Sequence, residues 1–287
     1  MLEEKYQKLR ELLQSYGSCL VAYSGGVDSA FLAYAASRIL GEKALAAIAD
    51  TPSLPRRELR EALELGKRFG FPVRVVRTRE FEDPRYVANP FNRCYFCKKE
   101  LFSELLPLAQ EGGYAVIAYG ENAEDEGDHR PGAKAAEEFA ARAPLKEAGL
   151  TKADIRTLSA RFGLPTADKP QMACLSSRIP YGEPVTPEKL RMVEEAEEAL
   201  WDAGFRDVRV RHHELARGRL ARIEVAPEDL ARLLAPAMRE RVTRKLQQIG
   251  YLYVTADLLG YRRGSLNEAM RLGPAKAASA ESRTDKA

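Results

Sequence analysis

The sequence lacks long apolar runs and has almost no excess of one charge. None of its apolar stretches approaches the roughly 20 residues of a membrane-spanning helix, so a helical membrane protein is excluded. The 287 residues include 45 basic and 42 acidic side chains, a net charge of +3, which gives no general preference for nucleic acid. Any anion-binding region must therefore be local. The composition, 45% hydrophobic and 30% charged, is typical of a globular protein with room for two domains.

Cysteine is scarce, with four in the chain, and the first residues do not have the pattern of a signal peptide. They form a charged amphipathic segment, so the expected compartment is the cytoplasm and the expected state of the cysteines is the reduced thiol. The residues from 274 onward are rich in Ala, Ser, Lys and Glu and show no periodicity. We expect a disordered tail over 273–287.

The segment Ser24–Ser29, with the sequence SGGVDS, follows an apolar run and precedes an apolar helical pattern. Two adjacent glycines let the backbone approach an oxyanion, and the first amides of a helix supply donors. A Walker loop would have Lys where this loop has Asp28, so a hydrolase of that kind is disfavoured. The loop resembles the pyrophosphate loop of ATP-dependent adenylating enzymes. A glycine turn with a helix cap is the alternative, but strand, loop and helix together favour a phosphate site.

The first half of the chain alternates short apolar runs with helical patterns. The patterns predict strands at 19–23, 44–49, 73–76 and 114–119, and helices at 28–40, 55–69 and 98–109. Gly41 and Gly70 stand where helix C-caps are expected. Such alternation predicts an α/β fold, a doubly wound parallel sheet whose ligand lies at the carboxyl ends of the strands.

The pattern changes after residue 186. A helix at 151–162 leads to a loop with Cys174, and a longer helix follows at 186–203. The patterns then predict strands at 208–211, 221–225 and 251–255, with two helices before the last strand. We therefore predict an ATP-binding and adenylation domain with the cysteine site over 1–180, and a smaller α+β substrate-binding domain over 181–272.

The four cysteines differ in context. Cys19 opens the first strand and is interpreted as a small buried hydrophobe. Cys94 and Cys97 form a CxxC pair just before a predicted helix, which is compatible with a zinc site, a redox dithiol or an iron-sulfur site. Cys174 stands alone in a loop, where a packed thiol is the alternative to a functional one. Three thiolates leave one position on a metal or cluster open to an outside ligand.

Several further segments occur in order with these motifs. The most specific are NRCYFCK at 92–98 and ACLSSRIPYG at 173–182; the others lie at 24–29, 51–59, 120–132, 143–152, 164–170, 221–225 and 253–265. Together they resemble the LarE family of ATP-dependent sulfur-insertion enzymes, in the PP-loop superfamily with its adenine nucleotide alpha hydrolase-like fold. The resemblance implies conversion of the carboxylates of pyridinium-3,5-dicarboxylate mononucleotide into thiocarboxylates, for the nickel pincer nucleotide cofactor of lactate racemase.

The resemblance also implies a sulfur source. Members with only the equivalent of Cys174 sacrifice its sulfur, whereas members with three cysteines hold a 4Fe-4S cluster that can carry an extra sulfide. With Cys94, Cys97 and Cys174, this chain is similar to the second type. It departs from the family pattern at Glu121, where Thr is expected, and at Ala167, where an aromatic residue is expected.

The resemblance further implies roles for individual residues. Cys174, Asp28 and Arg178 form the expected catalytic set, and Asp28 is the expected magnesium ligand. An acidic stretch after the fourth strand holds a second magnesium, orients ATP or is simply a solvated loop; it comprises Glu124, Asp125, Glu126 and Asp128. The expected ATP-binding residues are Ser24, Gly25, Gly26, Val27, Asp28, Ser29, Asp50, Gly120 and Asp125.

A phosphate site is expected in the second domain. Strand alternation separates Arg209 and Arg211 from the apolar positions beside them, and Arg guanidinium groups match phosphate oxygens. Ser177 and Arg262 are expected to complete this site. A solvated basic surface is the alternative, and His212 and His213 are interpreted as packing or surface residues.

Two rival functions remain open at this point. PP-loop enzymes with cysteine-held clusters also thiolate tRNA, but the near-neutral charge and the lack of a zinc-ribbon pair disfavour nucleic acid. The second rival is a nucleotide-binding redox sensor that uses the CxxC pair. We expect a small mononucleotide substrate, an unidentified sulfide donor, no membrane partner and a homo-oligomer.

Overall fold

The computed structural model describes residues 1–125, 131–170, 172–262 and 264–266. The predicted acidic residues Glu126 and Asp128 and the predicted tail at 273–287 lie outside the described residues. None of the described helices is long and apolar enough to cross a membrane. The chain divides into two compact units: the first comprises Met1–Ser177 and Gly182–Arg191, and the second Arg178–Tyr181 and the described residues from Met192 onward.

The first unit alternates strands and helices. Its strands are β1 Cys19–Tyr23, β2 Ala44–Asp50, β3 Val73–Arg77 and β4 Val116–Tyr119. Its helices are α1 Leu2–Tyr16, α2 Val27–Leu40, α3 Arg56–Phe69, α4 Pro84–Val87, α5 Arg93–Glu111, α6 Pro131–Glu138, α7 Pro144–Glu147 and α8 Lys152–Arg161. The expected C-caps are confirmed at Gly41 and Gly70, which have φ of 61° and 71°.

The sheet of this unit is parallel, with the strand order β3-β2-β1-β4. The chain moves outward from β1 through β2 to β3 and then returns to the other side of β1 with β4. Such a reversal opens a crevice at the carboxyl ends of the two strands beside it. The segments that follow Tyr23 and Tyr119 therefore begin next to each other, since Ala22 pairs with Tyr119.

Helices cover both faces of this sheet. All five residues of β1 are buried, and successive side chains point to opposite faces. Val21 packs into a core with Phe31 of α2 and Leu158 of α8, whereas Leu20 packs into a second core with Phe102 of α5. The predicted doubly wound α/β sheet is thus confirmed.

The second unit has a mixed sheet of three strands, β5 Arg209–Leu215, β6 Gly218–Glu224 and β7 Tyr253–Ala256, in that order. The first two pair antiparallel and the last two parallel. The helices α9 Pro187–Asp202, α10 Leu230–Leu234 and α11 Pro236–Ile249 complete the list. The core of this unit includes Val210, Ile223 and Leu246. The smaller α+β sheet is also confirmed.

Several predicted boundaries were wrong; among them, β6 begins at Gly218 instead of Ala221, and β7 begins at Tyr253 instead of Tyr251. Helix α5 begins at Arg93 instead of Lys98, so the CxxC pair lies inside its first turns and not before it. Strand β4 begins at Val116, two residues later than predicted. Strand β5 continues to Leu215, because its last residues pair with β6 in a hairpin that closes at Gly218.

Candidate active site

A cavity of about 380 Å³ lies in the first unit beside the carboxyl ends of β1 and β4. Its wall includes Ser24 and Asp28 from the predicted phosphate loop, Gly120 after β4, and Cys174. The predicted nucleotide loop and the predicted sulfur-bearing cysteine therefore line one space. A cavity of this size is in the range of small-molecule sites.

The loop between β1 and α2 has the geometry of an anion site. Gly25 has φ of 74°, and a Cβ there would lie 3.0 Å from the Cβ of Ala62. Gly26 precedes the first turn of α2, whose early N–H groups lack partners within the helix. Ser24 and Ser29 share a hydrogen bond of 2.9 Å between their hydroxyls, which fixes the two ends of the loop.

Gly120 lets β4 approach the start of α2 closely. A Cβ at this position would lie 2.7 Å from the backbone nitrogen of Ser29 and 3.0 Å from its Cα. Backbone atoms cannot move aside as a flexible side chain can. The close approach therefore explains why the cavity wall needs glycine here.

Asp28 lies at the cavity wall with one carboxylate oxygen paired and one not. Its Oδ2 accepts from Nζ of Lys152 at 2.6 Å and from Nδ2 of Asn122 at 3.4 Å. Its Oδ1 is buried and has no hydrogen-bond partner. A buried carboxylate oxygen without a partner is costly unless a ligand satisfies it, and a hard divalent cation prefers oxygen ligands. The carboxylate therefore fits magnesium.

Three further basic side chains line the same cavity. Lys98 of α5 places Nζ 4.1 Å from the centre of the Tyr119 ring. Arg156 of α8 donates to the carbonyl oxygens of Ala167 and Lys169. Lys169 forms ion pairs with Glu58 at 2.6 Å and Glu61 at 3.2 Å. Together with Lys152 they give the cavity a positive wall, which suits phosphate oxygens.

Some predicted nucleotide ligands have other partners. Among the described residues, Asp50 and Asp125 do not line this cavity. Asp50 pairs with Arg56, and Asp125 accepts from the backbone nitrogen of Asn122 at 3.1 Å. Their roles toward ATP stay predictions. Glu121, which departs from the family pattern, is buried and accepts from Tyr119 and Lys146.

The cysteines of the predicted cluster site influence each other electrostatically. Burial, then the Glu80 carboxylate and the Cys174 and Cys94 thiols, raises the pKa of Cys97 well above the usual value, and Arg93 opposes this. Cys94 is partly exposed to solvent, yet burial of its thiol, and then the nearby Cys174 thiol, also raise its pKa. Within the described ranges, no group of three or more His, Cys, Asp or Glu residues is arranged to hold a metal ion. The cluster stays a prediction, although three thiols that repel as thiolates are a donor set that suits iron and sulfide.

Cys19 is fully buried, and burial raises the pKa of its thiol to about 12. The interpretation of Cys19 as a small buried hydrophobe is confirmed.

A buried polar network holds the backbone around Cys174. Arg93 donates to the carbonyl oxygen of Ser176 at 3.0 Å, and the hydroxyl of Ser176 lies 2.8 Å from that of Tyr86. The backbone nitrogen of Leu175 donates to the carbonyl oxygen of Ser53 at 2.8 Å. These three contacts fix the residues after Cys174, while Cys174 itself remains exposed.

The arginines predicted to bind phosphate are placed in the second unit. Arg209 and Arg211 are 6% and 5% exposed, so the alternative of a solvated surface does not hold for them. Arg211 pairs with Glu224 at 2.7 Å, and the Arg209 guanidinium lies 4.9 Å from the centre of the Tyr261 ring. Burial, and then the neighbouring Arg178, lowers the pKa of Arg209. A bound anion would offset both effects.

The remaining members of the predicted site have protein partners. Arg178 is fully buried and forms a two-point ion pair with Glu197, at 2.9 and 3.0 Å. Arg262 donates to Asp257 and to the carbonyl oxygen of Gly260. The backbone nitrogen of Ser177 donates to the carbonyl oxygen of Cys174 at 2.9 Å. The interpretation of His212 as a packing residue agrees with its burial against Tyr251.

Sequence reasoning missed the basic side chains of the cavity wall. Lys152 is the first residue of α8, directly after the Thr151 N-cap, and Thr151 and Asp154 form a capping box. This signal was available, because a capping box fixes where a helix begins. Lys98 and Lys169 lie within the motif segments 92–98 and 164–170 but were given no role there, and the signal for Arg156 was weak because it lies in an ordinary helical segment.

No family model matches the chain. It is 43% identical to an uncharacterised protein of Synechocystis sp., over 94% of this chain and 99% of that protein. It is 26% identical to a component of the glutamine-hydrolysing GMP synthase of Methanococcus maripaludis, over 68% of this chain and 66% of that protein. It is 34% identical to the pyridinium-3,5-bisthiocarboxylic acid mononucleotide synthase of Lactiplantibacillus plantarum, over 94% of this chain and 96% of that protein. Because this last likeness extends over nearly all of both chains, the protein belongs to the LarE family, as its motifs predict.

Proposed function

We propose that this protein uses ATP to insert sulfur into the carboxylates of pyridinium-3,5-dicarboxylate mononucleotide, in the biosynthesis of the nickel pincer nucleotide cofactor. Its membership of a family that includes a pyridinium-3,5-bisthiocarboxylic acid mononucleotide synthase supports a sulfur-transferring synthase. The observation that carries the ATP-dependent part is the shared cavity, whose wall includes both the Ser24–Ser29 loop and Cys174.

The reaction needs activation before sulfur can enter. A carboxylate is a poor acceptor because oxide is a poor leaving group. In the first step a carboxylate oxygen bonds to the α-phosphorus of ATP, the bond to the bridging oxygen breaks, and pyrophosphate leaves. In the second step a sulfur nucleophile bonds to the acyl carbon, and AMP leaves with the former carboxylate oxygen.

The cavity residues suit the first step. The backbone amides of the Ser24–Ser29 loop face the phosphates, as in other anion sites at helix starts. Asp28 would hold magnesium, since its Oδ1 is buried without a partner. The positive wall formed by Lys98, Arg156 and Lys169 would stabilise the charge on the leaving pyrophosphate.

The sulfur source is assigned to the three-cysteine site. Cys94, Cys97 and Cys174 would hold a 4Fe-4S cluster, and such a group supplies a bound sulfide without loss of a protein sulfur atom. The Cys174 thiol raises the pKa of both Cys94 and Cys97, which supports this assignment. Burial and electrostatic repulsion raise the pKa of Cys94 and Cys97, and thiolate binding to iron would offset that repulsion.

The phosphate of the substrate is assigned to the second unit. Arg209 and Arg211 are buried on alternate positions of β5, and buried guanidinium groups favour an anionic ligand. Arg262 stays a predicted member of this site, and the role of Ser177, which belongs to the first unit, stays a prediction.

Isotope labelling tests the proposal. The substrate is prepared with ¹⁸O in its carboxylates and incubated without oxygen with ATP, magnesium and protein reconstituted with iron and sulfide. We expect the label to appear in the phosphate of AMP, because the activated oxygen leaves with it. Cys174→Ala should stop formation of the sulfur-containing product, whereas Cys19→Ala, which changes a buried cysteine outside the site, should retain it. Unlabelled AMP, or AMP formed without substrate, would contradict the acyl-adenylate.

A further inference from the structure

Lys152 and Asp28 form an ion pair inside the cavity. The Lys152 ammonium lies 2.6 Å from Oδ2 of Asp28, and the side chains are 30% and 14% exposed. The same carboxylate keeps Oδ1 buried without a partner. The carboxylate therefore has one cation already and can accept a second bond on its other oxygen.

The other basic side chains of the cavity are held by different groups. Lys98 lies over the Tyr119 ring, Arg156 donates to backbone carbonyl oxygens, and Lys169 pairs with two glutamates of α3. None of these partners is a proposed ligand of metal or nucleotide. Lys152 differs because its partner is the carboxylate proposed to hold magnesium.

We propose that Lys152 neutralises Asp28 in the nucleotide-free protein and moves to the nucleotide phosphates when the divalent cation binds Asp28. The proposal rests on the proposed function for the use of ATP and magnesium, but not for the sulfur step. A divalent cation carries twice the charge of an ammonium group and binds carboxylate oxygens directly, so it displaces the lysine.

The displaced ammonium group keeps its place in the cavity wall. Its three N–H donors then face the space beside the Ser24–Ser29 loop, where phosphate oxygens bring negative charge. Lys152 thereby becomes a catalytic residue for adenylation after the metal has arrived. The exchange also couples the binding of metal and nucleotide. The metal alone must compete with Lys152 for Asp28, whereas the metal-nucleotide complex gains Lys152 as a partner for its phosphates.

Manganese binding tests this exchange. The nucleotide-free full-length chain is titrated with Mn²⁺, and free Mn²⁺ is measured by electron paramagnetic resonance. Lys152→Met should bind Mn²⁺ about fivefold to tenfold more tightly than the wild type, because the competing cation is gone. Asp28→Asn should lose the site.

A matched control is Lys146→Met. Lys146 pairs with Glu121 at 3.2 Å, with exposures of 31% and 10%, close to those of the Lys152–Asp28 pair. Its Mn²⁺ affinity should equal that of the wild type. Lys152→Gln, a milder change that also removes the charge, should reproduce the result if Lys152→Met folds poorly.

A second titration separates the proposed exchange from a structural role. Lys152→Met should bind Mn²⁺-ATP about tenfold more weakly than the wild type, although it binds Mn²⁺ alone more tightly. A purely structural lysine would weaken both. Equal Mn²⁺ affinities for Lys152→Met and Lys146→Met would overturn the exchange. Failure of the wild type to bind Mn²⁺-ATP would instead contradict the ATP-dependent function itself.

Discussion

At the scale of single residues, Gly120 marks how closely β4 approaches the phosphate loop. Gly120→Ala would bring a Cβ within 3.0 Å of the Ser29 backbone. We expect it to reduce the stability by about 1 to 3 kcal/mol and to weaken ATP binding by about tenfold or more, because the start of α2 must shift. Calorimetric titration with ATP and urea unfolding measure the two effects.

Gly113→Ala is the control for this change. Gly113 has φ of 67°, and a Cβ added there would meet nothing within 4 Å, so the substitution strains the backbone without a collision. It should lower the stability by about 1 kcal/mol and leave ATP binding unchanged. Equal ATP affinities for the two variants would contradict the role given to the close approach at Gly120.

The raised pKa of Cys97 predicts its reactivity. In the reduced, metal-free protein, the alkylation rate at Cys97 should increase by about tenfold per pH unit. This increase should continue above about pH 8.5, which is the ordinary pKa of a thiol. The thiolate is the reactive form, and a raised pKa keeps its fraction small at neutral pH. Mass spectrometry of iodoacetamide adducts at several pH values measures the rate. A plateau at or below about pH 8.5 would contradict the raised pKa.

At the scale of elements, helix α8 positions two cavity side chains, Lys152 and Arg156. Its start is fixed by Thr151, whose hydroxyl accepts from the backbone nitrogen of Asp154 at 3.1 Å. Thr151→Ala should lower the free energy of unfolding by about 1 kcal/mol and weaken ATP binding, because the first turn frays. Thr157→Ala changes an exposed threonine of the same helix and should alter neither quantity. Urea unfolding and ATP titration decide between these outcomes, and equal values for the two variants would contradict the account.

In the second unit, Glu197 joins α9 to β5. It accepts both from Arg178 and from the backbone nitrogen of Val210, at 3.0 Å. Arg178→Met should therefore destabilise the protein by about 3 to 5 kcal/mol, because it leaves a buried carboxylate without its cation. Arg178→Met combined with Glu197→Leu should recover part of that loss.

Arg244→Met is the control for Arg178→Met, since Arg244 forms an exposed ion pair with Glu240 and should change the stability little. Thermal unfolding followed by circular dichroism measures all these variants. An Arg178→Met protein of normal stability that lacks activity would contradict the structural role and favour the catalytic one predicted from sequence.

Element boundaries show what the sequence could not reveal. Helix α5 starts five residues earlier than predicted, because Arg93 is buried and donates to Asn89 and to the Ser176 carbonyl oxygen. Ser176 is distant in sequence, and the position of Asn89 depends on the loop before the helix. Strand β5 was predicted too short because His212, His213 and Glu214 lack the usual alternation, and only their pairing with β6 extends it.

At the scale of the molecule, the fold class followed from local signals. Apolar strand and helix periods, the cap glycines Gly41 and Gly70, and the SGGVDS loop were sufficient to predict a parallel sheet with its ligand at the carboxyl ends of the strands. The strand order β3-β2-β1-β4 was not predicted, since strand order depends on contacts between distant segments. For the same reason the ion pair of Lys152 with Asp28, 124 positions away in the chain, could not be read from the sequence.

The site was predicted in part. The loop and Cys174 were named from motifs, and they line one cavity. The partners of the predicted arginines were not foreseen, because a basic residue on a strand does not reveal which carboxylate it will meet. Glu197 and Glu224, which pair with Arg178 and Arg211, lie 19 and 13 positions further along the chain.

The proposed activity replaces carboxylate oxygen by sulfur with the consumption of ATP. The most direct test is mass spectrometry of pyridinium-3,5-dicarboxylate mononucleotide after anaerobic incubation with ATP, magnesium and the protein reconstituted with iron and sulfide. We expect products with one and then two oxygen atoms replaced by sulfur, in amounts that exceed the amount of protein when sulfide is supplied. Recovery of unchanged substrate from a preparation that binds ATP and carries an intact cluster would contradict it.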